Sequence, residues 1–295
     1  MRWSVGVARS LLVSAGLLGA GCHRSPNGSP ESAPISVAFL SVGQGDCTVL
    51  QQGDEAILVD AGPKTPIARN GAGGQAGSGG FDAGERIVRR RLRELGVARV
   101  RGILLSHDDS DHTGGATAIL RAFPAALAWT GPQSRIPIGP RVRRLPPEGR
   151  MSFGDLRLVW RYPASSAEID NARSSLVAVE ARGMRFALTG DSPTGVEEGV
   201  TSLANGTVDV YKAGHHGSKN SGSAALLNAL RPLFVVVSCG AGNRYGHPHP
   251  DALARYRASG ARVLRTDREG DIDFRWTSAS GWELVLTPLD PTLAR

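Results

Sequence analysis

Six of the seven histidines in this chain stand in three short patches: His107 with His112, His215 with His216, and His247 with His249. Each patch follows a hydrophobic run short enough to be a buried strand, at residues 102–105, 208–212 and 234–238. Patches so far apart can share one place only if strand ends bring them there. In an α/β sheet the strand ends meet along one edge. The chain is therefore expected to be an α/β protein with its chemistry at a sheet edge. Of 295 residues, 41% are hydrophobic and 21% charged, which is enough to bury a core. The 38 glycines and the 5% aromatic content suit a turn-rich α/β layout better than a helical bundle.

Further strands are expected at residues 35–40, 47–50, 56–59, 156–160, 176–180 and 186–189, with Gln52-Gly53-Asp54 turning the chain between the second and third. Residues 85–95 read as a helix, because Ile87, Val88, Leu92 and Leu95 share a face and Gly96 stops it. Helices are also expected at 113–123, 224–230 and 250–258. The Gly-rich stretch 69–84 does not run from a strand straight into a helix, so it is read as a surface loop and not a phosphate-binding one.

The first histidine patch carries the sharpest chemistry. Ser106-His107-Asp108-Asp109-Ser110-Asp111-His112 places two imidazoles among several carboxylates directly after a strand. So many acids packed together would repel one another, and a divalent cation removes that repulsion. Imidazole with carboxylate is the ligand set of Zn²⁺ and Mn²⁺ hydrolytic sites. A solvated acidic turn would explain the aspartates but not both histidines.

His107-x-x-x-Asp111-His112 resembles the signature of the metallo-β-lactamase fold, with Asp109 where many members carry a second His. The surroundings resemble a narrower group, the hydrolase domain of the ComEC competence family. The matching stretches are Val42-Gly43-Gln44-Gly45-Asp46, Leu58-Val59-Asp60-Ala61-Gly62, the patch just described, Leu188-Thr189-Gly190-Asp191, Gly214-His215-His216-Gly217-Ser218 and Gly246-His247-Pro248-His249-Pro250. They occur in the family's order over roughly residues 35–275.

The resemblance implies a four-layer αββα sandwich and two divalent ions. His107 and Asp109 would hold one ion, and Asp111, His112 and His215 the other, with Asp191 bridging them. Asp60 would brace the ligand loop, while Asp46 and Gln44 would sit at the rim of the cleft. His216, Ser218, Asn243 and His247 would line the substrate side, with His249 close behind. Residues 113–214 contain no His, so Asn171 or Ser174, with Ser175 an equal match, would stand where the fold usually supplies another ligand. That oxygen-rich set favours Mn²⁺, with Zn²⁺ the alternative.

The family's nuclease activity makes phosphodiester hydrolysis by a metal-activated water the leading expectation, with DNA as substrate. Asp111, His216 and His247 are the candidate catalytic side chains. Two alternatives stay open: hydrolysis of a carboxylic ester, lactone, β-lactam or phosphocholine ester, and a non-catalytic binding lipoprotein. The formal net charge of +7 is compatible with a polyanionic substrate.

Bland readings compete at the other patches. The Gly214–Gly217 segment with Ser218 and Lys219 lacks the Walker order, and its glycines place the His pair on a tight loop. His247-Pro248-His249-Pro250 could equally be a rigid turn, more so for His249 than for His247. Trp129, Trp160, Trp276 and Trp282 are read as packing residues.

The N-terminus reads as a secretory leader over residues 1–21. Arg2 and Arg9 precede an apolar run, and Gly19-Ala20-Gly21 leads to Cys22, which resembles the lipidated Cys of bacterial lipoproteins. The position usually held by Leu there is Gly19. A flexible tether at 22–34, a hydrolase domain at 35–288 and a tail at 289–295 complete the expected organisation. The protein would be exported and lipid-anchored to a bacterial membrane, facing the periplasm or the exterior. In that setting Cys47 and Cys239 could pair or remain free. No protein partner is expected.

Overall fold

A computed structural model describes residues 33–65, 80–164 and 170–289. The expected leader, Cys22, the tether up to residue 32, most of the Gly-rich stretch and nearly all of the tail lie outside the described residues.

The chain lays down six strands of one sheet, moves to a second sheet, and returns to the first. The opening six are β1 (Ile35–Phe39), β2 (Thr48–Gln52), β3 (Glu55–Val59), β4 (Arg99–Leu104), β5 (Leu127–Thr130) and β6 (Val142–Arg144). The second sheet takes β7 (Glu148–Phe153), β8 (Leu156–Arg161), β9 (Leu176–Ala181), β10 (Met184–Leu188), β11 (Val210–Lys212), β12 (Phe234–Val237) and β13 (Arg262–Arg265). Finally β14 (Asp271–Thr277) and β15 (Gly281–Thr287) join the first sheet beside β1, giving the order β15-β14-β1-β2-β3-β4-β5-β6. The second sheet runs β13 to β7 in sequence order.

Each sheet is antiparallel in one half and parallel in the other, with β3–β6 and β10–β13 the parallel halves. Val59 pairs with Leu104 in the first sheet, while Leu188, Lys212 and Val236 stand side by side in the second. The segments that follow these residues therefore leave the sheets at matching levels. Every expected ligand patch follows one of these parallel strands, so register alone gathers the patches at one edge.

Alternation along the strands sorts the core into three layers. On β1, Val37 and Phe39 face the second sheet while Ala38 faces outward under helices. On β12, Phe234 and Val236 face inward while Val235 and Val237 meet the helices on the far side. Phe274 on β14 joins the two sheets, with edge-on contacts to Phe39, Phe186 and Phe234 at centroid distances of 6.3, 5.8 and 5.3 Å. Helices Arg89–Glu94 and Ala116–Ala122 cover the first sheet, and Ala224–Leu230 and Pro250–Ala258 cover the second. The result is an αββα sandwich.

Two expected helices differ in detail. The first opens as a π-helical turn over Gly84–Val88 before Arg89–Glu94. The second breaks into Ser110–Thr113 and Ala116–Ala122, because Gly114 and Gly115 press against neighbouring backbone. A Cβ on Gly115 would lie 2.1 Å from the Ala61 carbonyl oxygen. Cys47 and Cys239 are buried free thiols. Among the described residues no helix is long and apolar enough to cross a membrane.

Candidate metal centre

Asp60 leaves β3 with a left-handed φ of 63°, which turns its carboxylate toward the loop after β4. Its Oδ1 accepts from the Ser106 backbone N–H at 2.8 Å, and its Oδ2 from Ser106 Oγ at 2.9 Å. Oδ2 also lies 2.8 Å from His112 Nδ1. A carboxylate at Nδ1 fixes the ring so that Nε2 presents a lone pair on the opposite side. His112 Nε2 there stands 3.1 Å from Asp191 Oδ1. Ser106 Oγ lies 2.9 Å from His107 Nδ1 and orients a second ring, whose Nε2 is 3.4 Å from Asp109 Oδ2. The His107 and His112 rings are 4.2 Å apart.

Asp191 follows β10 and sits between the two sheets' contributions. Gly190 makes this approach possible: its φ is 51°, and a Cβ would come within 3.0 Å of Ser174 Cβ. The Asp191 backbone N–H donates to Ser174 Oγ at 3.2 Å. Ser174 therefore adjoins the bridging position. Ser175 instead donates its backbone N–H to the Ser106 carbonyl, and the Asn171 carbonyl accepts from Ser174 N–H.

The second sheet supplies the remaining ring. His215 and His216 both adopt left-handed φ angles, 45° and 53°, ahead of Gly217 at 77°. His216 Nδ1 lies 3.1 Å from the Ser238 carbonyl, and its Nε2 lies 3.2 Å from Asp111 Oδ2 and 3.5 Å from Asp191 Oδ2. His215 Nε2 is 3.8 Å from Asp191 Oδ2, and its side chain is 40% exposed. The geometry thus exchanges the two expected roles: His216 belongs to the compact ligand group, and His215 faces the mouth.

Asp46 differs from its expected rim position. It is only 4% exposed and pairs with the buried ammonium of Lys212. Asp46, His112, Asp191 and His216 offer ligand atoms within 4.8 Å of one another. The Asp46 contacts fall on Nδ1 of His216 (3.4 Å) and of His112 (3.9 Å), the ring faces turned away from Asp191. Asp46 accordingly braces the rings from behind, as Asp60 does.

His107 Nε2, His112 Nε2, Asp191 Oδ1 and Asp46 Oδ1 are buried and make no hydrogen bond. Orphaned buried groups of this kind cost about 1–3 kcal/mol each. Divalent cations between His107, Asp109, Asp111, His112, Asp191 and His216 would satisfy the three that face the centre, and imidazole with carboxylate is the right donor chemistry. The residues fit the group.

The electrostatics point the same way. Burial opposes charge on Asp191, yet His216 and His112 hold it well below the usual carboxylate range. Burial also opposes a charged His216, but Asp191 and Asp46 outweigh it and carry the ring up to about 9. His112 is likewise raised well above its ordinary value, by Asp191 and Asp60 against the same penalty. At the mouth the balance reverses. Burial, with His215 and His216 nearby, pushes His247 down to about 4, and burial lowers His215.

Other expected site residues hold the scaffold. Asn243 Oδ1 accepts from the backbone N–H groups of Tyr245 and His247, and its Nδ2 donates to the Gly240 and His247 carbonyls. That saturates the amide within its own loop and leaves nothing for substrate. His249 Nδ1 caps helix Pro250–Ala258 by accepting from Asp251 N–H at 3.1 Å. Gln44 Oε1 accepts from Gly240 N–H at 3.2 Å. Ser218 closes the His215 turn through its backbone N–H. Asp108 turns outward and accepts from Ser134 Oγ at 2.6 Å.

Ser106 stood in the first motif without a role assigned to it, and Lys212 and Glu197 lay outside the motifs. Lys212 did leave a trace, as a cation at the end of an apolar strand. Glu197 is fully buried; its carboxylate accepts from Gly222 N–H (2.7 Å) and from Tyr211 Oη (2.9 Å), and Tyr211 Oη accepts from Gly214 N–H (3.2 Å). Both ends of the His215–His216 loop hang on that one carboxylate, and burial raises it to about 7.

Residues 40–240 match the sequence profile of the metallo-beta-lactamase superfamily. The chain is similar to ComE operon protein 3 of Bacillus subtilis, with 28% identity over 277 residues, covering 88% of this chain and 35% of that protein. It is similar also to competence protein ComA of Neisseria gonorrhoeae, 32% identical over 83% of this chain and 33% of that one. Recombination protein 2 of Haemophilus influenzae is 31% identical over 80% of this chain and 28% of its own length. The chain thus spans about a third of the length of these relatives. Among solved structures, the metallo-beta-lactamase fold protein YhfI from Bacillus subtilis superposes with a TM-score of 0.54 over 82% of this chain and 99% of its own, at 10% identity. Likeness at that identity concerns the fold alone.

Proposed function

The chain belongs to the metallo-β-lactamase superfamily and is a metallo-hydrolase of that fold, and from this premise we propose that it hydrolyses phosphodiester bonds in DNA. The observation that carries the proposal is the cation-demanding cluster at the strand edge, in a chain whose relatives are named for competence and recombination. The net charge of +7, of which Arg2 and Arg9 of the expected leader supply two, is compatible with a polyanionic substrate.

When bound, divalent cations supply Lewis acidity toward a phosphoryl oxygen and a lowered pKa for water. The protein's part is arrangement. Asp60 and Asp46 fix the rings of His112 and His216, so the bare Nε2 atoms need no reorganisation. Asp191 holds its two oxygens toward different rings. His215 and His247, both favouring the neutral form at the mouth, are placed to orient a phosphate by donating a ring N–H or to accept a proton from an attacking or leaving group.

The test is cleavage of plasmid DNA by the purified protein with added Mn²⁺ or Zn²⁺, wild type beside His112→Ala. The same preparations are offered nitrocefin and p-nitrophenyl esters. Nicking by wild type alone supports the proposal, whereas hydrolysis only of the esters or nitrocefin assigns a different bond. We also propose export and anchoring through Cys22, to be checked by mass spectrometry of the mature N-terminus for a lipid-modified Cys.

A further inference from the structure

We propose that Tyr245, with Arg244 beside it, is a stacking platform for an unpaired nucleobase at the mouth of the metal centre; this rests on the phosphodiesterase reading above and narrows its substrate to single-stranded DNA. Among the described residues four large hydrophobic side chains are markedly exposed: Ile138, Leu233, Leu289 and Tyr245. Tyr245 is the aromatic one, at 56%. A tyrosine serving only to pack its loop would turn its ring inward.

Its position gives the exposure a purpose. The Tyr245 ring stacks on His247 at 5.9 Å with 27° between planes, and His247 lies 5.5 Å from His215. A line of rings therefore runs from the metal centre to the surface and ends in an open aromatic. The line is held in place before any substrate arrives, since Asn243 Oδ1 accepts from both the Tyr245 and His247 N–H groups, at 3.2 and 3.1 Å. Stacking on a fixed ring forfeits little conformational entropy.

Arg244 supplies the charge. Its guanidinium lies 5.0 Å from the Tyr245 centroid and donates to Tyr245 Oη at 3.0 Å. Among the described residues it pairs with no carboxylate, so its charge is available to a phosphate. An incoming base either replaces the guanidinium on the ring or stacks on the guanidinium plane, and both arrangements keep a cation beside the backbone. Bases within a duplex have their faces covered by neighbours, so only an unpaired base can use such a platform.

Binding is measured by fluorescence anisotropy in EDTA, with a labelled oligothymidylate, an abasic strand of equal length, and a duplex. Wild type is expected to prefer oligothymidylate over both. Tyr245→Ala should lower the ratio of oligothymidylate to abasic affinity by about 5- to 150-fold, and Tyr245→Trp should restore it. Arg244→Ala should reduce the salt slope of log K by about 1. Because Tyr245 is exposed on a loop, an unchanged circular dichroism spectrum is expected for each variant. An unaltered ratio in Tyr245→Ala, or duplex bound as tightly as single strand, overturns the platform. Cleavage of the same single strand and of plasmid, with Mn²⁺ in place of EDTA, is run in parallel and separates the two readings. An enzyme that cuts either DNA with an unaltered ratio loses the platform but keeps its activity class, while a protein that cuts neither loses the phosphodiesterase reading and the platform with it.

Discussion

Lys212 and Asp46 form a buried ion pair behind the metal centre, tying the end of β11 to the loop after β1. Their side chains are 3% and 6% exposed, so water cannot stand in for either partner. Lys212→Met is therefore expected to destabilise the fold by about 3–5 kcal/mol, measured by urea unfolding. Adding Asp46→Asn in the same chain should recover part of the loss, because the uncompensated charge goes with it.

The exchange of roles between the adjacent histidines can be read directly. His216→Ala should weaken metal binding by more than the roughly 10–100-fold that losing an outer partner costs. Asp60→Ala falls within that range. His215→Ala should retain most of the metal while turnover drops. Metal content after dialysis, set beside turnover, distinguishes the two histidines.

Metal uptake should release protons. Without a cation, His216 titrates near 9 instead of its ordinary 6.5, and coordination needs the bare nitrogen. Affinity for Mn²⁺ is thus expected to rise with pH through about 9. The metal-free protein should behave oppositely in stability. Because the folded value is raised, the contribution of His216 is complete below 6.5 and is lost as pH climbs through about 9. Melting temperatures between about pH 6 and 10, with EDTA and with Mn²⁺, check both signs.

Glu197 should behave as a positioning residue. Glu197→Ala leaves the Gly222 N–H and the Tyr211 hydroxyl unpaired, at about 1–3 kcal/mol each. Glu197→Gln keeps the shape and can still accept from Gly222, so it should rescue metal affinity lost in the alanine variant. The carboxyl is raised from 4.5 to about 7, so its contribution to stability is complete below 4.5 and fades as pH rises through 7. The glutamine variant should lose that slope in a plot of melting temperature against pH.

The parallel core of the fold was legible in sequence because its strands, buried on both faces, are continuous apolar runs. That is why 102–105, 186–189 and 234–238 fall within three residues of β4, β10 and β12 at either end. The later hairpin of β14 and β15 was not, since Asp271, Asp273, Arg275 and Glu283 alternate with its apolar residues on the opposite face and leave no continuous apolar run. Those charges find partners that only the fold reveals: Asp271 pairs with Arg91 and Asp273 accepts from Ser36 Oγ. Within the site, the cluster at 107–112 stood out from its residue types, and Asp191 came from the family resemblance. Which of two neighbouring histidines points inward could be read from neither, because it depends on two successive left-handed φ angles. Asn243 and His249 misled for a related reason, as both are polar residues near the mouth that satisfy their own backbone.

Among the described residues six non-glycine positions carry a positive φ, and three of them, Asp60, His215 and His216, belong to the metal centre. A left-handed L-residue gives up about 1–2 kcal/mol, which glycine would not. At His215, whose ring is partly in water, glycine would return that energy with little packing lost. His215→Gly is therefore expected to gain stability while losing the ring at the mouth. The imidazole at that corner is thus held at a cost in stability, which its place at the mouth of the metal centre offsets in function.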